Sequence, residues 1–155
     1  MTIAGSASLY ARVSYEVASG TNGGTATSGS WEKRTVNTEV DTDNIVSVSA
    51  SQLTLLAGTY DCLIVAALVN CNGGQVRLQN VTDTTTVALG QNVYMSGVSG
   101  NNYWSPVCQR FTVGSSKALE IQTRVAVTVA DFGMGYPNSF GVSEVYTIAE
   151  FWKVS

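Results

Sequence analysis

The chain has 155 residues, of which 45% are hydrophobic and 12% are charged, with a formal net charge of −3 and no histidine. The charged fraction is about half the ~25% usual for globular domains, and 21 valines, 17 threonines and 17 serines favour strands and turns over helices. The lack of histidine excludes Ser-His-Asp and Cys-His catalysis and all histidine-liganded metal sites, and the excess of acidic over basic residues argues against nucleic-acid binding.

Alternation of apolar and polar residues with a period of two is the dominant pattern along the chain, and it predicts β-strands. Residues 9–17 and 119–129 show this alternation most clearly. Residues 60–69 are instead apolar on both faces, as in a strand that is covered on both sides. Glycine- and asparagine-rich turns separate shorter predicted strands, in chain order near 31–37, 45–49, 52–56, 75–81, 85–89, 92–96, 105–113 and 143–154. About ten strands at this spacing predict an antiparallel β-sandwich or barrel without helices.

The segment 19–30 contains only small and polar residues, which predict a long loop or a junction. We therefore divide the chain into an N-terminal strand or arm with a flexible loop, residues 1–30, and a β-domain, residues 31–155.

The N-terminal residues lack the basic and apolar regions of a secretory signal. The longest apolar run, Cys62 to Val69, is far shorter than the ~20 residues that span a bilayer. We expect a protein that is made in a cytosol and not inserted into a membrane. Its cysteines, Cys62, Cys71 and Cys108, are then expected to be reduced and buried as small hydrophobic side chains. A Cys62–Cys71 bridge is the alternative if the two lie on neighbouring strands.

No motif indicates catalysis, a cofactor or a metal centre. No glycine cluster leads from a strand into a helix as a phosphate-binding loop does. The densest acidic cluster, Asp41-Thr-Asp43-Asn44, fits a turn, with a calcium site as the alternative. The acidic residues are otherwise scattered, and four of them, Glu16, Glu32, Glu120 and Glu144, fall on the predicted solvent-facing sides of strands. A hydrolase or lyase with two carboxylates is therefore the least favoured hypothesis.

Two turn-rich stretches place aromatic rings beside amides. One is Asn101-Asn102-Tyr103-Trp104, and the other, residues 131–138, contains Phe132 and Tyr136. Sugar rings stack on aromatic faces and amides bond to hydroxyls, so these six residues are candidates for contact with a glycan or receptor. The alternative is that they cover one end of the β-structure or meet a neighbouring subunit.

Four stretches, read in order, carry a family resemblance. They are Trp31-Glu-Lys-Arg-Thr-Val-Asn-Thr38, Leu53-Thr-Leu-Leu-Ala-Gly-Thr-Tyr60, Gln75-Val-Arg-Leu-Gln-Asn-Val-Thr-Asp83 and Glu144-Val-Tyr-Thr-Ile-Ala-Glu-Phe-Trp-Lys153. From about residue 28 to its end the chain resembles the tumour-necrosis-factor-like and complement globular-head-like jelly rolls of tailed-bacteriophage virions. The chain departs from the animal members in having no collagen stalk or coiled coil, and from long tail fibres in having no repetitive shaft.

The resemblance implies a jelly roll of about ten strands that packs as a homotrimer about a threefold axis, without enzymatic activity. Its implied location is the virion, and its implied role is to decorate or stabilise the capsid by contact with the major capsid protein or another virion protein. The alternative role is the tip of a tail or head fibre that binds a receptor or a host surface glycan.

The last predicted strand carries bulky residues on both faces. We expect one face to line the core and the other to lie near the trimer axis, because interface cores are depleted in charge and enriched in aromatic residues. The candidate interface residues are Tyr146, Ile148, Phe151 and Trp152.

Overall fold

The computed structural model describes residues 8–94 and 102–155. These residues form thirteen strands and no helix. The strands are β1 (Leu9–Val17), β2 (Glu32–Lys33), β3 (Thr38–Val40), β4 (Val46–Ser49), β5 (Gln52–Leu55), β6 (Gly58–Val69), β7 (Gly73–Asn80), β8 (Thr85–Leu89), β9 (Val93–Tyr94), β10 (Asn102–Trp104), β11 (Val107–Val113), β12 (Lys117–Val125) and β13 (Glu144–Lys153).

The strands form two antiparallel sheets that pack face to face. The first sheet has the order β10-β6-β13-β1-β3, with β11 also paired to β6. The second has the order β4-β5-β12-β7-β8, with β2 paired to β12 and β9 to β7. The all-β sandwich predicted from the alternating pattern is confirmed. No described residue belongs to a helix long and apolar enough to cross a membrane.

Residues 8–30 contribute directly to this sandwich. Strand β1 lies inside the first sheet, hydrogen-bonded to β13 on one side and to β3 on the other. The segment 19–30, predicted to be flexible, is paired with residues 129–135: Ala26 and Val129 exchange two backbone hydrogen bonds of 2.9 Å. Ala26 is consequently fully buried.

Two predicted strands are shorter than expected. Within the stretch 31–37 only Glu32 and Lys33 form a strand, β2, because the Arg34 side chain turns into the space between the sheets. Strand β12 ends at Val125 rather than near 129, since the amides of Ala126 and Val127 donate to the carbonyls of Gly73 and Cys71 at the turn between β6 and β7. In the stretch 92–96, residues 93–94 form β9 and residues 95–96 lie outside the described residues.

The core consists of the inward-facing residues of both sheets, as burial of apolar surface requires. Alternate residues of β6, from Tyr60 to Leu68, are all buried there. The Tyr60 ring stacks on the Phe111 ring, with 5.7 Å between their centroids, and the Phe111 and Phe151 rings meet edge to face with 6.5 Å between their centroids. Phe151, predicted at the interface, therefore lies inside the monomer.

A buried arginine joins the two sheets. Arg34 is 1% exposed and has no carboxylate partner within residues 8–94 and 102–155. Its Nε donates to Thr147 Oγ1 of β13 (2.9 Å), and Nη1 donates to Ala67 O of β6 (3.0 Å) and Thr123 Oγ1 of β12 (3.4 Å). Nη2 donates to the carbonyls of Met134 (2.8 Å) and Tyr146 (3.4 Å). Burial lowers the pKa of the guanidinium to about 10, so it is charged at neutral pH.

The three cysteines form no disulfide. Cys62 and Cys71 are buried as expected, and desolvation raises the pKa of Cys62 to about 11. Cys108 is exposed, contrary to the expectation that all three are buried. It lies opposite Leu63 on the side of the first sheet that faces away from the core.

Candidate functional site

The outward side of the first sheet, called here the outer face, carries large apolar side chains around one carboxylate, Glu150. It is formed by the residues of β6, β13, β1 and β11 that point away from the core. Ile148 lies opposite Val65, and the next two rows place Leu63 opposite Glu150 and Trp152 opposite Asp61. The four apolar side chains are half-buried. Half-buried apolar residues in adjacent strands make a continuous surface that packs well against protein.

Most charges on the outer face are paired within the chain. Arg110 donates from Nε and Nη2 to the two oxygens of Asp61, at 2.7 Å each, and these bonds lower the pKa of Asp61. Tyr10 donates its hydroxyl to Glu150 (2.8 Å), and Arg12 lies 3.6 Å from Glu16. Asp61 and Glu16 are thus neutralised by arginines, whereas Glu150 keeps its negative charge and is hydrogen-bonded to a neutral hydroxyl.

The four predicted interface residues are distributed over two environments. Ile148 and Trp152 lie on the outer face, and Trp152 contacts the Tyr10 ring at 5.7 Å. Phe151 and Tyr146 are buried in the monomer. A bulge where the β1 register passes from Tyr15 to Glu16 turns Tyr146 inward, where its hydroxyl donates to Thr21 O (2.7 Å). Its ring lies against Gly135, where a Cβ atom would overlap it.

A cleft of about 310 Å³, called here the aromatic cleft, opens at one end of the outer face. It lies where β6, β10 and the start of β13 meet the segment 136–143. Its exposed apolar side chains are Trp104 (57% exposed), Tyr136 (57%), Phe140 (79%), Val142 and Val145. Asn102 and Asn138 add amides. Such a concentration of exposed apolar groups with a few polar ones is typical of a binding surface.

The predicted contact residues lie at and around this cleft. Asn102, Trp104 and Tyr136 line it, and Phe132 supports Tyr136 edge-on at 5.4 Å. Tyr103 points the other way, into a core cluster with Leu68 and Cys71, and burial raises its pKa to about 12. Asn101 lies outside the described residues.

The other exposed apolar residues of the cleft, Phe140, Val142 and Val145, were not predicted from the sequence. The available signal was the presence of large apolar residues in and beside a turn-rich segment, since such segments are usually polar.

Glu144 fixes the segment that forms one wall of the aromatic cleft. Its carboxylate accepts hydrogen bonds from the backbone amides of Ser139 (2.8 Å), Gly20 (3.1 Å) and Asn138 (3.2 Å). The amide of Gly141 also donates to Ser19 Oγ (3.0 Å). These hydrogen bonds from backbone amides stabilise the ionised carboxylate and lower the pKa of Glu144. Phe140 and Val142 are thus held on a pre-organised loop.

Replacing Glu144 with glutamine is expected to lower the melting temperature at pH 7, because a neutral amide accepts these bonds more weakly than a carboxylate. Since the folded-state pKa of Glu144 lies below its ordinary 4.5, the stabilisation is complete above that pH and is lost as pH falls through the lowered pKa. Thermal melts from pH 7 to pH 3 should show that the difference in melting temperature between the native protein and the variant becomes smaller in acid. If the two melting temperatures are equal at pH 7, or if their difference is the same at pH 3, this assignment is contradicted.

The acidic cluster at 41–44 forms a turn. Asp41 accepts from the amides of Asp43 (3.2 Å) and Val46 (2.7 Å), and Asp43 accepts from the amide of Tyr10 (2.9 Å). These bonds account for both carboxylates. Among the described residues, no three cysteine or acidic side chains are grouped so as to hold a metal ion.

No protein-family model and no curated protein matches the chain. Solved structures do. Crystal structures of murine APRIL at pH 5.0 and pH 8.0 have TM-scores of 0.61 and 0.53 at 9% identity, and each comparison covers 94% of this chain and 98% of APRIL. The globular domain of zebrafish complement 1qA protein has a TM-score of 0.52 at 11% identity, with 97% and 98% covered. At these identities the likeness shows the fold alone, and it confirms a tumour-necrosis-factor-like jelly roll.

Proposed function

We propose that the chain is a non-enzymatic structural protein of a phage virion, and that its homotrimers decorate or stabilise the capsid surface. The observation that carries the self-association is the outer face, which presents Ile148, Leu63 and Trp152 and whose arginines are paired with carboxylates of the same chain. Interfaces between subunits are depleted in unpaired charge in the same way.

The trimeric state rests on this face together with the resemblance of the four sequence stretches to virion jelly rolls. In a closed threefold ring each subunit uses two different surfaces, one of which meets the other on the next subunit. The outer face would be the first of these. Three copies would then bury side chains such as Ile148 and Trp152, which the monomer leaves half exposed.

The virion location and the contact with the major capsid protein or another virion protein rest on the resemblance alone. Electron cryo-microscopy of the particle tests them directly. We expect trimeric density on the head. Density confined to the tail would replace capsid decoration by the fibre-tip role, and absence from the particle would overturn the virion assignment.

A second candidate function is a receptor- or carbohydrate-binding tip of a tail or head fibre. The aromatic cleft favours it, because Asn102 and Trp104 of β10 and Tyr136 of the segment before β13 line one opening of ligand size.

Under this second function, Trp104→Ala is expected to weaken glycan or receptor binding about tenfold or more, as loss of a central aromatic contact does. The measurements are a glycan array and adsorption to host cells. Leu56→Ala, which removes an exposed apolar side chain far from the cleft, serves as the control. A silent array, or unchanged adsorption of the Trp104 variant, contradicts the second function.

A further inference from the structure

The outward side of the second sheet, called here the basic face, carries two arginines that form no ion pair within the part of the chain that the structure describes. In the same sheet Lys33 lies 3.9 Å from Glu120, and elsewhere Arg12, Arg110 and Lys117 each form an ion pair with a carboxylate. Arg34 is buried between the sheets, and Lys153, also without an ion pair among the described residues, belongs to the first sheet. On the basic face, Arg77 of β7 and Arg124 of β12 form no ion pair among the described residues. Two unpaired guanidinium groups on one surface of an acidic protein attract an anion.

The two guanidinium groups lie near each other. Arg77 of β7 lies opposite Gln122 of β12, and Arg124, two residues after Gln122, lies opposite Gln75. The two arginines are therefore diagonal neighbours on the same side of the sheet. Arg77 is held by neutral partners: Gln122 Oε1 accepts from its Nε (3.0 Å) and Nη2 (2.7 Å), and the Trp31 ring covers it at 4.2 Å. Burial, and then the charge of Arg124, lower the pKa of Arg77, as expected for cations without a carboxylate between them.

Arg124 also lines a cleft of about 430 Å³ at the end of this face. Gly73 and Gly74 lie along it, Gln75 and Asn92 add amides, and the Tyr94 side chain, 76% exposed, stands beside it. The cleft thus combines one cation, two amides and one accessible aromatic ring. Its volume suits one or two sugar rings rather than an extended protein segment.

We propose that this cleft binds an acidic saccharide, a sugar ring bearing a carboxylate or phosphate that Arg124 recognises. The guanidinium group pairs with such anions through two parallel hydrogen bonds. The Tyr94 ring stacks on the apolar face of the sugar, and the amides of Gln75 and Asn92 bond to its hydroxyls. The cleft belongs to the second sheet and therefore does not lie on the outer face, which is formed by the first sheet.

The test titrates the native protein, at low ionic strength, with sialyllactose against lactose and with glucose 6-phosphate against glucose, followed by calorimetry or NMR. At least one acidic sugar is expected to bind about tenfold or more tightly than its neutral counterpart. Arg124→Gln should weaken that binding about 10- to 100-fold, the range for a hydrogen bond to a charged group. Lys117→Gln makes the same charge change at the opposite end of β12 and should leave binding unchanged.

Tyr94→Ala separates a sugar site from a simple anion site. It is expected to weaken the acidic sugar about tenfold while leaving the binding of inorganic phosphate unchanged. The proposal is overturned if neither acidic sugar binds at millimolar concentration, if acidic and neutral sugars bind equally, or if Arg124→Gln binds as the native protein does. Binding of polyglutamate in place of both acidic sugars would also overturn it, in favour of an acidic protein partner.

Discussion

Replacing Arg34 with alanine is expected to lower the free energy of unfolding by about 3–5 kcal/mol, the upper range for single substitutions. The guanidinium group donates to five acceptors drawn from both sheets and from the segment before β13. Each buried acceptor that loses its donor costs about 1–3 kcal/mol. The loss exceeds the gain from no longer burying a charge, because the acceptors stay buried.

Two further variants separate hydrogen bonding from volume and charge. Arg34→Met keeps much of the volume and removes the charge, but is still expected to cost about 2 kcal/mol because no donor remains. Arg34→Lys keeps the charge, yet lacks the planar fork that reaches several acceptors at once, so it should be destabilising as well.

Urea denaturation at one fixed protein concentration measures these differences, since the stability of an oligomer depends on concentration. Arg124→Gln removes an exposed guanidinium and should change the free energy of unfolding by less than about 0.5 kcal/mol. If Arg34→Met has the same free energy of unfolding as the native protein, the hydrogen bonds of Arg34 make no net contribution to stability.

Replacing Ile148 with aspartate is expected to convert the proposed trimer into a folded monomer. In one chain Ile148 lies half-exposed on the outer face opposite Val65, so a carboxylate there stays solvated and the sandwich remains folded. In the trimer the same carboxylate would be buried without a partner, which costs several kcal/mol for each copy. Each of the three interfaces carries this penalty, which offsets much of the ~8 kcal/mol that micromolar association represents.

Light scattering with circular dichroism measures mass and folding together for this variant. Leu56→Asp introduces the same charge at an exposed apolar side chain away from the outer face and should leave the mass unchanged. If Ile148→Asp keeps the mass of the native protein, the outer face is not the interface. If both variants lose mass alike, the effect is one of net charge rather than of position.

The strand pattern was predictable because the period of two is a property of the backbone. Residues 9–17 form a strand as their alternation predicts, residues 60–69 form one as their apolar run predicts, and most turns fall at glycine and asparagine. Arg34 was not predictable. It follows Glu32 and Lys33, which look like a solvent-facing stretch, and only acceptors that are distant in the sequence make its burial favourable.

The face of the sheet on which an individual side chain lies was harder to predict than the presence of a strand. Trp104 and Tyr103 were assigned to a turn, but they belong to β10, whose pleat sends Trp104 into the aromatic cleft and Tyr103 into the core. In the last strand, the bulge beside Tyr146 shifts the alternation, so that Tyr146 and Thr147 are both buried. Bulges depend on the partner strand, and a single sequence carries no clear sign of them.

The mass of the native protein in solution tests the central claim of self-association through the outer face most directly. Light scattering coupled to size exclusion at micromolar concentration is expected to give three times the 16.3 kDa of a single chain, with the same value after dilution by about tenfold. A mass of one chain at that concentration would contradict the trimer, and with it the proposal that this surface is built to meet copies of itself.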